Sequence, residues 1–172
     1  MSTPLYAELF ELYARHRAAH LDYYMSGRRA ANCVRFALFQ ALGLPDENFK
    51  TGSATQPWAQ LYDISAEGKT TAVAWSDLSN WDDEGRLHFA VGIALSHTLD
   101  SFPKSYFWLS YALKVQGEKV LVSENAGDRK EFEFSTEDGK RALVASFFST
   151  LRQYLEQQPE DAFKPKRGIG FL

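Results

Sequence analysis

His88 is the residue whose type best suits proton chemistry, because an imidazole titrates near neutral pH and can act as a general base. It stands in the run RLHFAVGIALSHTLDSFPKSYFWLSYALKVQGEKVLV, residues 86–122. Alternation puts Leu87, Phe89, Val91, Ile93 and Leu95 on one side of a strand, with Arg86, His88, Ala90, Gly92 and Ala94 on the other. A second strand repeats the division, with Phe107, Leu109, Tyr111, Leu113 and Val115 opposite Tyr106, Trp108, Ser110, Ala112 and Lys114. One face is large and oily and the other is small. A histidine among small neighbours, bordered by Tyr106, Trp108 and Ser110, has the composition of a shallow ligand pocket. If that pocket is catalytic, His88 is the base and Lys114 or His97 assists it. If a helix covers the face instead, Arg86 and His88 lie at its rim in water.

Other candidates are weaker. His16 and His20 are four residues apart, the spacing at which two imidazoles on one helix can meet a metal ion, but no local third ligand accompanies them. Cys33 lies in an apolar helical pattern and is expected to pack as a small hydrophobe. Asp77, Asp82, Asp83 and Glu84 lack the alternating ligands and central glycine of a calcium loop, so a solvated acidic connection is expected. Arg15, Arg17, Arg28, Arg29 and Arg35 could meet phosphate, yet Glu8, Glu11 and Asp22 interleave with them and no nucleic-acid-binding signature is present. No glycine-rich phosphate loop, G-x-S-x-G elbow or paired-carboxylate motif occurs, and no cofactor is implied.

Composition narrows the field. A chain of 172 residues with 45% apolar content can bury a real core as one domain. Aromatics at 15%, including 13 Phe and 8 Tyr, exceed what a core of this size needs, and some are expected at a recognition surface. A net charge of -3 gives no general pull toward nucleic acid or anionic lipid. One cysteine excludes an internal disulfide framework. Glu8 and Glu11 interrupt any signal-like apolar run, and no stretch approaches the roughly 20 apolar residues that cross a bilayer. The expectation is a soluble cytoplasmic protein without a membrane segment.

The elements that must position these residues follow from periodicity. Pro4 suits a first helical position, and residues 4–24 carry a wide stripe that includes Leu5, Leu9, Leu12, Tyr13 and Leu21. Ser26-Gly27 predicts a break, followed by a second helix from about Arg28 to Leu42 whose stripe is Ala30, Cys33, Val34, Ala37, Leu38, Ala41 and Leu42. Its alanines would let it lie close to the small face of the sheet. Residues 45–57 read as a loop, 58–64 fit a strand or a helix with the strand preferred, and 70–75 read as a strand. Gln116 to Lys119 is a turn, and Lys130 to Ser135 a strand with Phe132 and Phe134 inward. Ser135 or Thr136 opens a last helix striped by Leu143, Val144, Phe147, Leu151 and Leu155. Residues 159–172 form a terminal arm, either packed or docking.

The fold class is therefore α+β: two N-terminal helices, a largely antiparallel meander of five or six strands and a C-terminal helix packed on the sheet. The leading functional expectation is a binding or interaction protein without its own catalytic site. Its partner would be another protein, including a second copy, or a small apolar ligand. A small enzyme using His88 is the alternative, and a phosphate or nucleic-acid binder using the N-terminal arginines is a weaker one.

Overall fold

The computed structural model describes residues 4–96, 105–125 and 129–157, together with the backbone of 169–171. It is an α+β architecture built on antiparallel strands. Helix α1 spans Pro4–Ala41, and a short hairpin follows from β1 (Phe49–Thr51) and β2 (Ala54–Gln56). The main sheet contains β3 (Ala59–Ile64), β4 (Thr70–Ala72), β5 (Leu87–Leu95), β6 (Ser105–Gln116), β7 (Lys119–Glu124) and β8 (Glu131–Glu133). Helix α2 (Glu137–Leu155) and strand β9 (Ile169–Phe171) complete the described elements.

The strand order is β4-β3-β5-β6-β7-β8, and β9 adds to the first half of β6. From β5 onward this is the expected meander. Before it the chain departs once: β4 folds back outside β3, so β5 returns to the other edge of β3. The predicted strand at 70–75 is shorter than expected, because Trp75–Asp77 coil into a 3₁₀ turn. At the far end, Ile169–Phe171 pair with Leu109–Phe107 as a strand, while residues 158–168 and 172 lie outside the described residues.

The alternation of β5 and β6 divides the sheet as the sequence implies. Phe89, Val91, Phe107, Tyr111 and Leu113 are fully buried on the large face. Each such side chain contributes about 1.5–3 kcal/mol when taken from water. Helix α2 covers this face with Leu143, Phe147 and Leu151, and Phe107 meets Phe147 edge to face with centroids 6.0 Å apart. Thr136 caps α2 by accepting a hydrogen bond from the Gly139 amide at 3.0 Å. One buried carboxyl interrupts the apolar packing. Glu124 pairs across the ladder with Tyr111, and burial pushes the pKa values of both groups up.

Four expectations are corrected. The two N-terminal helices are one helix of 38 residues. The alanine-rich segment covers the large face beside α2, through Ala31, Val34 and Leu38, and does not cover the small face. Its buried line is rotated from the predicted stripe, which leaves Cys33 exposed. The small face is instead closed by the hairpin within the segment read as a loop and by Trp58 just after it: Phe49 and Trp58 pack there with Tyr62, Tyr106, Ala90 and Ala94.

The helix runs through Ser26-Gly27 because Gly27 is a seat. It is buried, and a Cβ there would overlap the Trp81 indole. Trp81 is itself held between Tyr24 at 4.9 Å and Tyr23 at 5.7 Å, centroid to centroid. The glycine costs about 1 kcal/mol in helix propensity and removes a larger steric conflict. We therefore expect Gly27→Ala to destabilise the protein, with the thermal midpoint falling by about 3–6 °C, against the usual gain for such a change in a helix. A calorimetric midpoint that rises instead would show that Trp81 moves aside freely.

Candidate functional site

The residues expected to form one pocket are spread over two regions of the sheet. His88 lies opposite Ala112, whereas Trp108 lies opposite Gly92, four residues farther along both strands. That separation is roughly 13 Å at the rise of a β-strand. Around Gly92 the space is filled by this chain's own rings: a Cβ there would collide with Tyr62 and press on Tyr106. Tyr106 is buried, donates its hydroxyl to the Pro57 carbonyl at 2.5 Å, and has its pKa pushed up to about 12 by burial. Ser110 is buried opposite Ala90, and Trp108 is partly buried at the rim of the same cluster. None of His88, Tyr106, Trp108 and Ser110 lines either of the two clefts described below. His97 lies outside the described residues.

His88 has a local role. Its Nε2 lies 2.8 Å from Asp82 Oδ2, on the same carboxylate oxygen that accepts from Arg86 Nε at 2.8 Å. The amides of Glu84 and Arg86 donate to the other oxygen, each at 2.9 Å. Burial of the Asp82 carboxyl works against ionisation, but these hydrogen bonds outweigh it and hold the group well below the usual carboxylate range. Lys114 is a diagonal neighbour of His88 on the same face and points to no shared cleft.

This acidic connection grips the middle of α1. The Arg28 Nε donates to the Leu78 carbonyl at 2.8 Å, Trp81 sits on Gly27, and the Tyr23 hydroxyl donates to the Gly85 carbonyl at 2.6 Å. Behind it, the Asp63 carboxylate accepts from the Ser79 hydroxyl at 2.6 Å and anchors the connection to β3. Of the five arginines considered for phosphate, Arg28 and Arg35 bond the carbonyls of Leu78 and Ala59. Arg15 and Arg17 lie elsewhere, on exposed helix.

N-terminal to that grip, α1 leaves the body. Every residue from 4 to 22 is exposed, yet Leu5, Tyr6, Phe10 and Tyr13 are each more than 60% open to solvent. Tyr6, Leu9, Tyr13, His16 and His20 recur at alternating three- and four-residue spacing, and the series continues through Tyr23, Gly27 and Val34 into the core. One stripe thus packs on the sheet over half the helix and faces water over the rest. The exposed half of the stripe forms a contiguous apolar surface. His16 and His20 are neighbours within it, ring centroids 4.3 Å apart, and no third metal-ligating side chain joins them among the described residues.

Two clefts accompany the helix. One of about 560 Å³ lies where the arm meets the body, between His16, His20 and Tyr24 on α1 and Trp81, Asp82 and Asp83 on the connection. The other, about 940 Å³, runs between the C-terminal half of α1 and α2, where Phe36 and Phe148 are half exposed beside Cys33. The arm's stripe is legible in the sequence as spacing; its exposure depends on where the body ends. No family model, curated protein or solved structure matches this chain.

The Asp82 cluster yields a pH-dependent expectation. Its folded pKa lies below the unfolded value of about 3.9, so its contribution is present above that pH and is lost as pH falls through the folded value. Asp82→Asn should cost about 1–3 kcal/mol at pH 7 in chemical denaturation. The difference from the wild type should shrink below roughly pH 4. An equal cost at pH 7 and pH 3 would contradict this account.

Proposed function

We propose that this chain is an interaction protein and that the exposed N-terminal half of α1, residues 4–22, is its docking element for another polypeptide. The observation that carries the reading is the continuity of the stripe. The spacing that buries Val34 and Leu38 also sets out Tyr6, Leu9 and Tyr13, with nothing of the described chain against them. Helix-in-groove and helix-on-helix recognition both use such a face, with anchors at three- and four-residue spacing. A ligand pocket on the small face draws less support, because Tyr62 and Tyr106 fill it. A histidine-based active site draws less as well, since the His88 Nε2 is committed to Asp82.

The test separates docking from stability. Leu9→Gln combined with Phe10→Gln removes two anchors that make no part of the core. In sub-micromolar protein the variant should unfold within about 2 °C of the wild type, because surface changes of this kind stay within roughly 0.5 kcal/mol. Association at the arm, read as photocrosslinking from a benzophenone side chain at position 13, should be lost. A midpoint lowered equally at every protein concentration would show the stripe to be part of the fold and overturn the reading.

A further inference from the structure

We propose that the cleft of about 560 Å³ beside Trp81 binds a fully methylated ammonium group, the cationic head of a free choline-like molecule or of a trimethylated lysine side chain. The cleft lies at the root of the arm, so its occupancy is independent of what docks on Leu9 and Phe10. Its volume falls within the roughly 300–1,000 Å³ of small-ligand sites.

The wall of the cleft is aromatic. Trp81 stands 4.9 Å from Tyr24 and 5.7 Å from Tyr23, centroid to centroid, and the two tyrosines are 6.1 Å apart. Their planes are inclined to one another by 46–74°, so no two of these rings stack face on face. Tyr24 is 37% open to solvent, and His20 extends the wall with its ring 6.3 Å from that of Tyr24. A ring face carries negative charge density and attracts a cation within about 6 Å of its centroid, tryptophan most strongly. Centroids this close together let one cation lie within that reach of all three rings.

The charge has the matching sign. Asp82 and Asp83 line the cleft, and no lysine or arginine does among the described residues. Burial and then the Asp82 carboxylate push the Tyr23 phenol above its usual pKa, which marks a negative field at that wall. Arg86 offsets the Asp82 charge through their ion pair. Asp83 makes no ion pair among the described residues, so its charge is left for a ligand.

The acceptors decide which cation fits. A metal ion or a bare ammonium must replace its lost water with several oxygen or nitrogen partners. Here the Asp82 oxygens already accept from two amides and from Arg86, and the Gly85 carbonyl accepts from the Tyr23 hydroxyl at 2.6 Å. No three metal-ligating side chains converge among the described residues. A fully methylated ammonium has no N–H to satisfy. It needs ring faces and a nearby carboxylate, and the cleft supplies both.

NMR titration of the full chain with choline tests this, beside the neutral isostere in which carbon replaces the choline nitrogen. Choline should give saturable shifts at His20, Tyr24 and Gly85, and the isostere should bind about tenfold more weakly. Tyr24→Leu should raise the choline Kd by about fivefold and Asp83→Asn by about threefold. Asp83 is exposed, so its variant keeps the fold even if the loss of Tyr24 loosens Trp81. A peptide bearing trimethyllysine identifies the source: binding tighter than that of choline assigns the cation to a polypeptide, and weaker binding assigns it to a free molecule. Absence of saturable shifts at about 50 mM choline overturns the inference. Equal binding of the isostere, or an unchanged Kd in both variants, overturns it as well.

Discussion

The seat of Trp81 on Gly27 is the constraint from which the rest of the molecule follows. A helix of 38 residues is far longer than the sheet it covers, so something must fix which residues lie on the sheet and which face lies down. Gly27 does both, since the indole fits only where a side chain is missing. The ring is in turn immobilised by Tyr23 and Tyr24 and by a connection that Asp82 and Asp63 hold in place with hydrogen bonds. Because an α-helix is stiff over a few turns, fixing the register at Gly27 also fixes the direction of the stripe several turns away, at Leu9 and Tyr13.

The two faces of the sheet are covered by different means for a steric reason. Helices bring long side chains and need a surface with depth to interdigitate, and Phe89, Phe107 and Tyr111 provide it on the large face. The face of Ala90, Gly92 and Ala94 is shallow, and flat rings fill a shallow surface better than a helix does. Tyr62 and Tyr106 lie across it, and Phe49 of the short hairpin and Trp58 just after it pack above them. Small residues here admit the chain's own aromatics, which is why the same pattern reads from sequence as a place for a ligand.

What was legible in the sequence depended on how local the deciding interaction is. β5, β6 and the β6–β7 turn were readable because alternation and Gly117 are local features, and α2 because Thr136 and its stripe are. Ser26-Gly27 is locally a breaker, and what opposes it is Trp81, fifty-four residues away in sequence. A stripe of alanines leaves the buried face ill-defined by a turn or less, and Ala31 rather than Cys33 lies beneath. The partner of His88, Asp82, belongs to a segment whose composition reads as a solvated connection, so their contact is not legible locally. Exposure of the arm is global: no residue of the stripe carries a mark of where the sheet ends.

The composition of the arm bears on why it exists. Its helix does not need apolar residues to form, because it propagates from turns already fixed on the sheet and so avoids the nucleation cost of an isolated helix. Ala7, Ala14, Ala18 and Ala19, with Glu8, Glu11, Arg15 and Arg17, already supply high helix propensity. Tyr6, Phe10 and Tyr13 lower that propensity and place oily surface in water. Neither local helicity nor the packing of the body calls for them.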